Sequence, residues 1–120
     1  MSQRTIYVSR KNDTSHHIKL RDSEGNDPGD DKITTLVDTG DTVTWELDKD
    51  SGLSEITKVK KKSDTHQLLT AEPHKNNGKW VGTVVGKSPG KGKQEKYKIF
   101  YKLEGDDKEY HDDPILQMNN

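Results

Sequence analysis

The hydrophobic pattern of the chain is clearest at Gly40-Asp41-Thr42-Val43-Thr44-Trp45-Glu46-Leu47, where Val43, Trp45 and Leu47 alternate with Thr42, Thr44 and Glu46. A period of two marks a strand with one buried and one wet face. Trp45 is one of only two tryptophans, so this strand is expected to carry much of the core. The same pattern recurs elsewhere. Residues 5–9 form a short β-type run, and Ile18 and Leu20 alternate with polar neighbours over 17–21. Residues 33–37 lead into the Gly-Asp turn. Trp80 and Val84 share one side of a run over 79–85. Over 96–103 the alternation is almost unbroken: Tyr97, Ile99, Tyr101 and Leu103 are expected to face the core, and Lys96, Lys98 and Lys102 the solvent. Residues 53–62 read as an irregular strand, Leu68-Leu69 as an anchor in the weakly patterned 63–78, and Ile115, Leu116 and Met118 as a last strand.

Turn chemistry separates these runs. The segment 22–31 is acidic and carries Gly25, Pro28 and Gly29; residues 48–52 and 105–107 are further turns. Residues 86–94 contain three glycines and Pro89 and are expected to form a mobile loop. Seven to nine short strands, no long helix and no internal repeat predict an all-β fold, an antiparallel β-sandwich formed by residues 1–120 as a single domain. The expected partners of the Trp45 strand are the Trp80 strand and the Tyr97–Leu103 strand.

Composition changes this picture little. Hydrophobic residues make up 26% of the chain and charged residues 34%. Leu, Ile, Val and Phe together fall below about 20%, one of the two marks of disorder. The other mark, a high net charge, is missing, because 20 basic and 21 acidic residues leave −1. A folded domain with a thin core and a charged surface is expected. No cysteine is present, which points to a reducing compartment, since small secreted domains of this polarity usually carry disulfides. Neither a signal-type apolar stretch nor a membrane-spanning window is found, so a cytoplasmic location without membrane contact is expected.

The Gly40-Asp41-Thr42-Val43-Thr44-Trp45 strand, the tyrosine-rich strand ending at Leu103, and a terminal strand after a short loop resemble the cupredoxins, the plastocyanin and azurin class. The likeness spans roughly residues 33–118. It implies a cupredoxin-like sandwich; an immunoglobulin-like one is the other arrangement that the strand pattern allows. In the family, the first of these strands precedes a histidine ligand. The tyrosine-rich strand ends in cysteine, and the following loop carries histidine and methionine. This chain departs from that pattern at the metal. A blue-copper centre needs a cysteine thiolate, and there is none; no histidine lies between Glu46 and Thr65, and the loop after Leu103 offers acids and His111. The resemblance therefore implies a copper-less member, without electron transfer and without a cofactor.

Candidate chemistry is sparse. His111, Asp112 and Asp113 form a possible metal-ligand cluster, whereas His16 and His17, if on a strand, would point to opposite faces. His66 and His74 lie in poorly patterned sequence. The acidic runs 27–31 and 106–113 lack the spacing of the familiar calcium loop. No nucleophile elbow, zinc-protease motif or cysteine nucleophile is present, so no catalysis is expected. The glycine-rich loop at Gly86 is not a P-loop, but its amides and Lys87, Lys91, Lys93 and Lys96 form a candidate site for an anion or an acidic partner.

Charge is unevenly distributed: basic clusters lie at 58–62 and 87–98, acidic ones at 22–31 and 104–113. On different surfaces these would permit homo-oligomers through complementary charge. Nucleic acid is not the expected partner, because net charge is near zero and Tyr97, the nearest stacking candidate, is assigned to the core. The expectation is a non-catalytic binding module for a protein or small ligand, acting through loops. The alternative is a metal-binding sandwich using His111, Asp112 and Asp113.

Overall fold

A computed structural model describes residues 3–12, 14–29, 33–62 and 68–120. Ten strands and no helix are present among them: β1 (Gln3–Arg10), β2 (Ile18–Asp22), β3 (Thr34–Val37), β4 (Thr42–Leu47), β5 (Leu53–Lys61), β6 (His74–Asn76), β7 (Lys79–Thr83), β8 (Gln94–Leu103), β9 (Glu109–Asp112) and β10 (Ile115–Met118). They build two sheets, one in the order β2-β1-β4-β7-β6 and the other in the order β3-β10-β8-β5, with β9 also paired to β8. The fold is all-β and consistent with a β-sandwich, as the alternation predicts. Among the described residues no helix is long and apolar enough to cross a membrane.

The sheets are mixed rather than purely antiparallel. After the β1–β2 hairpin the chain crosses to the second sheet as β3, then returns as β4 beside β1. That excursion makes β1 and β4 parallel, and likewise β3 and β10. The return is a tight corner at residues 38–41. There Gly40 has φ 79°, a left-handed conformation that glycine adopts without the Cβ penalty. The Asp41 carboxylate, 1% exposed, accepts from the Asp38 amide at 2.8 Å and from Arg4 Nε at 2.9 Å. Asp22 is another buried acid. It accepts from the Asn26 amide and side chain and, at 2.8 Å, from the Thr35 hydroxyl, tying the end of β2 to β3 of the other sheet.

The core forms where the alternating faces meet. Trp45 pairs across the ladder with Trp80 of β7. The Tyr97 strand is not its neighbour in the sheet, as expected from the sequence, but faces it across the sandwich. The Trp45 and Tyr97 rings meet edge to face at 5.3 Å, and Trp45 Nε1 donates to the Tyr97 hydroxyl at 3.1 Å. Burial pushes the Tyr97 phenol well above its ordinary pKa. Ile6, Val8, Ile99, Tyr101, Leu116 and Met118 complete the same layer, all fully buried. Leu68 and Leu69 are buried as expected of an anchor. The irregularity read in residues 53–62 is real: β5 pairs with β8 through register shifts between Leu53 and Glu55 and between Ile56 and Lys58. Such bulges add a residue to one strand and bend it.

Candidate functional site

The glycine-rich loop joins β7 of the first sheet to β8 of the second, so it is a crossover between sheets and not a hairpin. It is fastened to the C-terminal strand. The Ser88 hydroxyl donates to the Asn120 carbonyl at 2.6 Å, the Gly92 amide to the Met118 carbonyl at 2.9 Å, and the Met118 amide to the Lys93 carbonyl at 2.8 Å. The Gly90 amide donates to the Ser88 hydroxyl and the Lys93 amide to the Gly90 carbonyl. These three loop amides thus have internal acceptors, and the candidate site reduces to its side chains. Lys87, Lys91 and Lys93 are exposed, and no ion pair or side-chain hydrogen bond holds them among the described residues.

Lys96 belongs to a different surface. It lies on β8 with its side chain exposed, and the alternation of that strand places Lys96, Lys98, Phe100 and Lys102 on the outer side of the second sheet. Register adds neighbours from both flanking strands. Lys60 of β5 lies opposite Lys98, Lys58 opposite Phe100, and His111 of β9 opposite Phe100 on the other side. Lys58 Nζ sits 5.3 Å from the centroid of the Phe100 ring, and the His111 ring is also at 5.3 Å. Cations are attracted to a ring face at such distances. Three acids border this surface: Glu55 and Glu109 both lie opposite Lys102, and Asp113 is 3.5 Å from Lys62 Nζ. No acidic side chain contacts Lys58, Lys60 or Lys98 among the described residues. Phe100 is the only phenylalanine in the chain, and its place among the lysines was legible as an apolar residue in the polar register of β8.

The three metal candidates turn to different partners. On β9 successive side chains point to opposite faces. His111 meets the Phe100 ring at a tilt outside; Asp112, 6% exposed, points inward. Its carboxylate accepts from the Ile18 amide at 3.1 Å and lies 2.9 Å from the Tyr101 hydroxyl and 3.2 Å from His17 Nδ1. Asp113 meets Lys62. Among the described residues no three His, Asp or Glu side chains are grouped to hold a metal ion. His66, Asp30 and Asp31 lie outside the described residues. His16 and His17 precede β2 rather than occupying a strand, and their rings lie 4.2 Å apart. His16 also stacks on Tyr110 at 4.9 Å, and the Tyr110 hydroxyl donates to Asp106 at 3.0 Å. That bond raises the Tyr110 pKa, while the Lys108 amide, followed by Tyr110 itself, lowers that of Asp106.

One buried acid escaped the sequence reading. Glu95 is the second residue of β8, one residue ahead of the expected strand, and is 0% exposed. Its Oε1 accepts from the Leu68 and Leu69 amides at 3.0 and 2.8 Å, and Lys61 Nζ is 3.8 Å from Oε2. Among the described residues Oε2 has no hydrogen-bond partner. On the outer face of the first sheet a shallow depression of about 370 Å³ is lined by Thr5, Thr42, Thr44 and Glu46, with Glu46 paired to Lys79 at 3.3 Å. In comparisons with known proteins, no family model matches this chain, and no curated protein matches it.

Proposed function

We propose that this chain is a non-catalytic binding module that recognises an anionic protein or small ligand through Lys87, Lys91 and Lys93 of the crossover loop, with Lys96 contributing from the outer face of the second sheet. The observation that carries the reading is the state of the crossover loop. It is fastened by hydrogen bonds at Ser88, Gly90, Gly92 and Lys93, yet it holds three lysines in solvent without acidic partners among the described residues. A braced backbone presenting unneutralised charge loses little conformational entropy on binding. Several cations elsewhere are occupied: Arg4 by Asp38 and Asp41, Arg21 by Asp48, Lys79 by Glu46.

The proposal includes kinship with the cupredoxins, as a copper-less relative working in a reducing compartment. Its support is the sequence of elements: the Trp45 strand, the tyrosine-rich strand ending at Leu103, a turn, and a closing strand interrupted at Asp113-Pro114. The metal-binding alternative has less support, because His111, Asp112 and Asp113 diverge. The test of the binding reading is a Lys87→Ala, Lys91→Ala, Lys93→Ala triple variant titrated at low salt with labelled acidic peptide and with inorganic phosphate. Weakened binding is expected for at least one probe. Unchanged association with every anionic probe discards the loop as the site.

A further inference from the structure

We propose that the outer face of the second sheet docks an extended acidic segment of a partner protein, with an apolar side chain of that segment seated on Phe100. The proposal rests on the reading of the chain as an anion-recognising module and extends it from the loop to a defined surface and partner. Lys58 lies opposite Phe100 and Lys98 two residues from it on β8, with Lys60 opposite Lys98 and Lys96 two residues further along; the Phe100 ring is flanked by Lys58 at 5.3 Å and His111 at 5.3 Å. An outward-facing phenylalanine with Lys58 and Lys98 beside it and further lysines along the same strand face offers what an acidic-hydrophobic segment needs. Its apolar residue is desolvated at the centre and its carboxylates find cations at the rim.

Spacing favours a polypeptide. Lys96 and Lys98 lie two residues apart on β8, so their side chains recur every ~6.6–7 Å. An extended peptide presents alternate side chains with the same repeat, so carboxylates at every second position match the lysines in register. The limits of the basic area point the same way. Glu55 and Glu109 stand beside Lys102, and Asp113 meets Lys62. A continuous phosphate backbone would run into these acids, whereas a short peptide with a few carboxylates fits between them. The net charge of −1 likewise gives a nucleic acid no long-range attraction.

The experiment is fluorescence anisotropy with three labelled probes: a glutamate-alternating peptide with a central Leu, the same peptide with a central Ser, and a deoxythymidine oligonucleotide of equal charge. Each is titrated against the wild-type protein, Phe100→Ala, Lys60→Glu/Lys98→Glu, and the triple loop variant. The Leu peptide is expected to bind best, and Phe100→Ala to weaken it roughly tenfold, to the level of the Ser peptide, as loss of one partly buried apolar contact implies. Lys60→Glu/Lys98→Glu is expected to abolish binding of both peptides, and the triple loop variant to retain the preference for Leu. Circular dichroism establishes that each variant is folded; should Phe100→Ala unfold, the charge-reversal variant decides alone. The proposal is overturned if the Leu preference survives in Phe100→Ala, if charge reversal leaves peptide binding intact, or if the oligonucleotide binds at least as tightly as the peptides. Binding lost only in the triple loop variant would sustain the loop reading and sink this one. Failure of every anionic probe to bind would sink both.

Discussion

Glu95 gives the most direct test of how this thin core is held. Its carboxylate is fully buried and supplies one oxygen to two consecutive amides, those of Leu68 and Leu69. Both leucines are core residues, and Leu69 also bridges to Val84. In Glu95→Ala both amides lose their acceptor inside the protein, and Lys61 loses its nearest carboxylate. Each buried donor left unsatisfied costs about 1–3 kcal/mol, so the pair should cost about 3–5 kcal/mol. For a domain of this size that is a fall of about 10–20 °C in Tm. Urea unfolding followed by tryptophan fluorescence measures it, and a loss below about 1 kcal/mol would refute the assigned role of the amides. Glu95→Gln separates the charge from the hydrogen bonds, because the amide oxygen keeps both acceptor contacts. Burial, the largest cause, raises the Glu95 pKa above its ordinary value, against the opposing pull of the two amides and Lys61. A raised folded-state pKa means that the native state holds its proton more tightly than the unfolded chain. Its stabilisation is therefore complete below the unfolded value and is lost as pH rises through the folded one. Wild type should lose stability relative to Glu95→Gln as pH rises from about 4 upward. If Glu95→Gln instead becomes relatively worse with rising pH, Lys61 and the amides outweigh desolvation.

Three further outcomes are expected. Trp45→Ala should cost about 3–5 kcal/mol, from the cavity of a fully buried aromatic and the lost bond to Tyr97; a near-unchanged urea midpoint would remove Trp45 from the centre of the core. Asp112→Ala should cost about 1–3 kcal/mol, since the Ile18 amide loses its buried acceptor while the Tyr101 hydroxyl keeps the His16 carbonyl; denaturant unfolding within about 0.5 kcal/mol of wild type would place Asp112 in solvent instead. The melting curve should be the same with and without EDTA, and purified protein should carry no stoichiometric metal. A divalent cation that raises Tm in wild type but not in His111→Ala would restore the metal reading.

The legible parts of the fold are those in which an apolar period of two decides burial. β4 and β8 announce themselves through Val43 and Trp45 and through Tyr97, Ile99 and Tyr101, all buried. Even the three-residue spacing of Ile56 and Val59, which suits a helical turn, has a β explanation: the bulge between Ile56 and Lys58 shifts the register while keeping both side chains in the core. β6 could not be read, because all three of its residues are exposed and a strand without a buried face leaves no hydrophobic trace. β9 was hidden for a different reason. Its inward residues are Tyr110, only partly buried, and Asp112, held by hydrogen bonds to the Tyr101 hydroxyl and to the Ile18 amide, the latter distant in sequence. Parallel pairing of β1 with β4 was likewise invisible, since strand order depends on which sheet the chain crosses to and not on local pattern.

The candidate site was half legible for a related electrostatic reason. Counting charges along the chain treats every acid as surface, and on that count the molecule is balanced. In the folded molecule Asp22, Asp41, Glu95 and Asp112 are buried, where they hold the Asp22 loop, the β3–β4 corner, the Leu68-Leu69 anchor and the β9–β2 contact. Burying four carboxylates is expensive unless each is hydrogen-bonded, and these four accept mainly from backbone amides and neutral side chains. Among the described residues, Asp41 and Glu95 alone of the four have a Lys or Arg within 4 Å, and His17 stands beside Asp112. Among the described residues, Lys87, Lys91 and Lys93 on the crossover loop and Lys58, Lys60 and Lys98 on the outer face of the second sheet are thereby left without acidic partners. A near-zero net charge thus conceals a basic exterior on one side, created by the same buried acids that stabilise a core too small to rely on apolar contacts alone. Converting a buried acid to its neutral isostere, as in Glu95→Gln, would raise the net charge yet leave this surface unchanged. A change in peptide affinity on that substitution would show that the lysine face is not electrically independent of the interior.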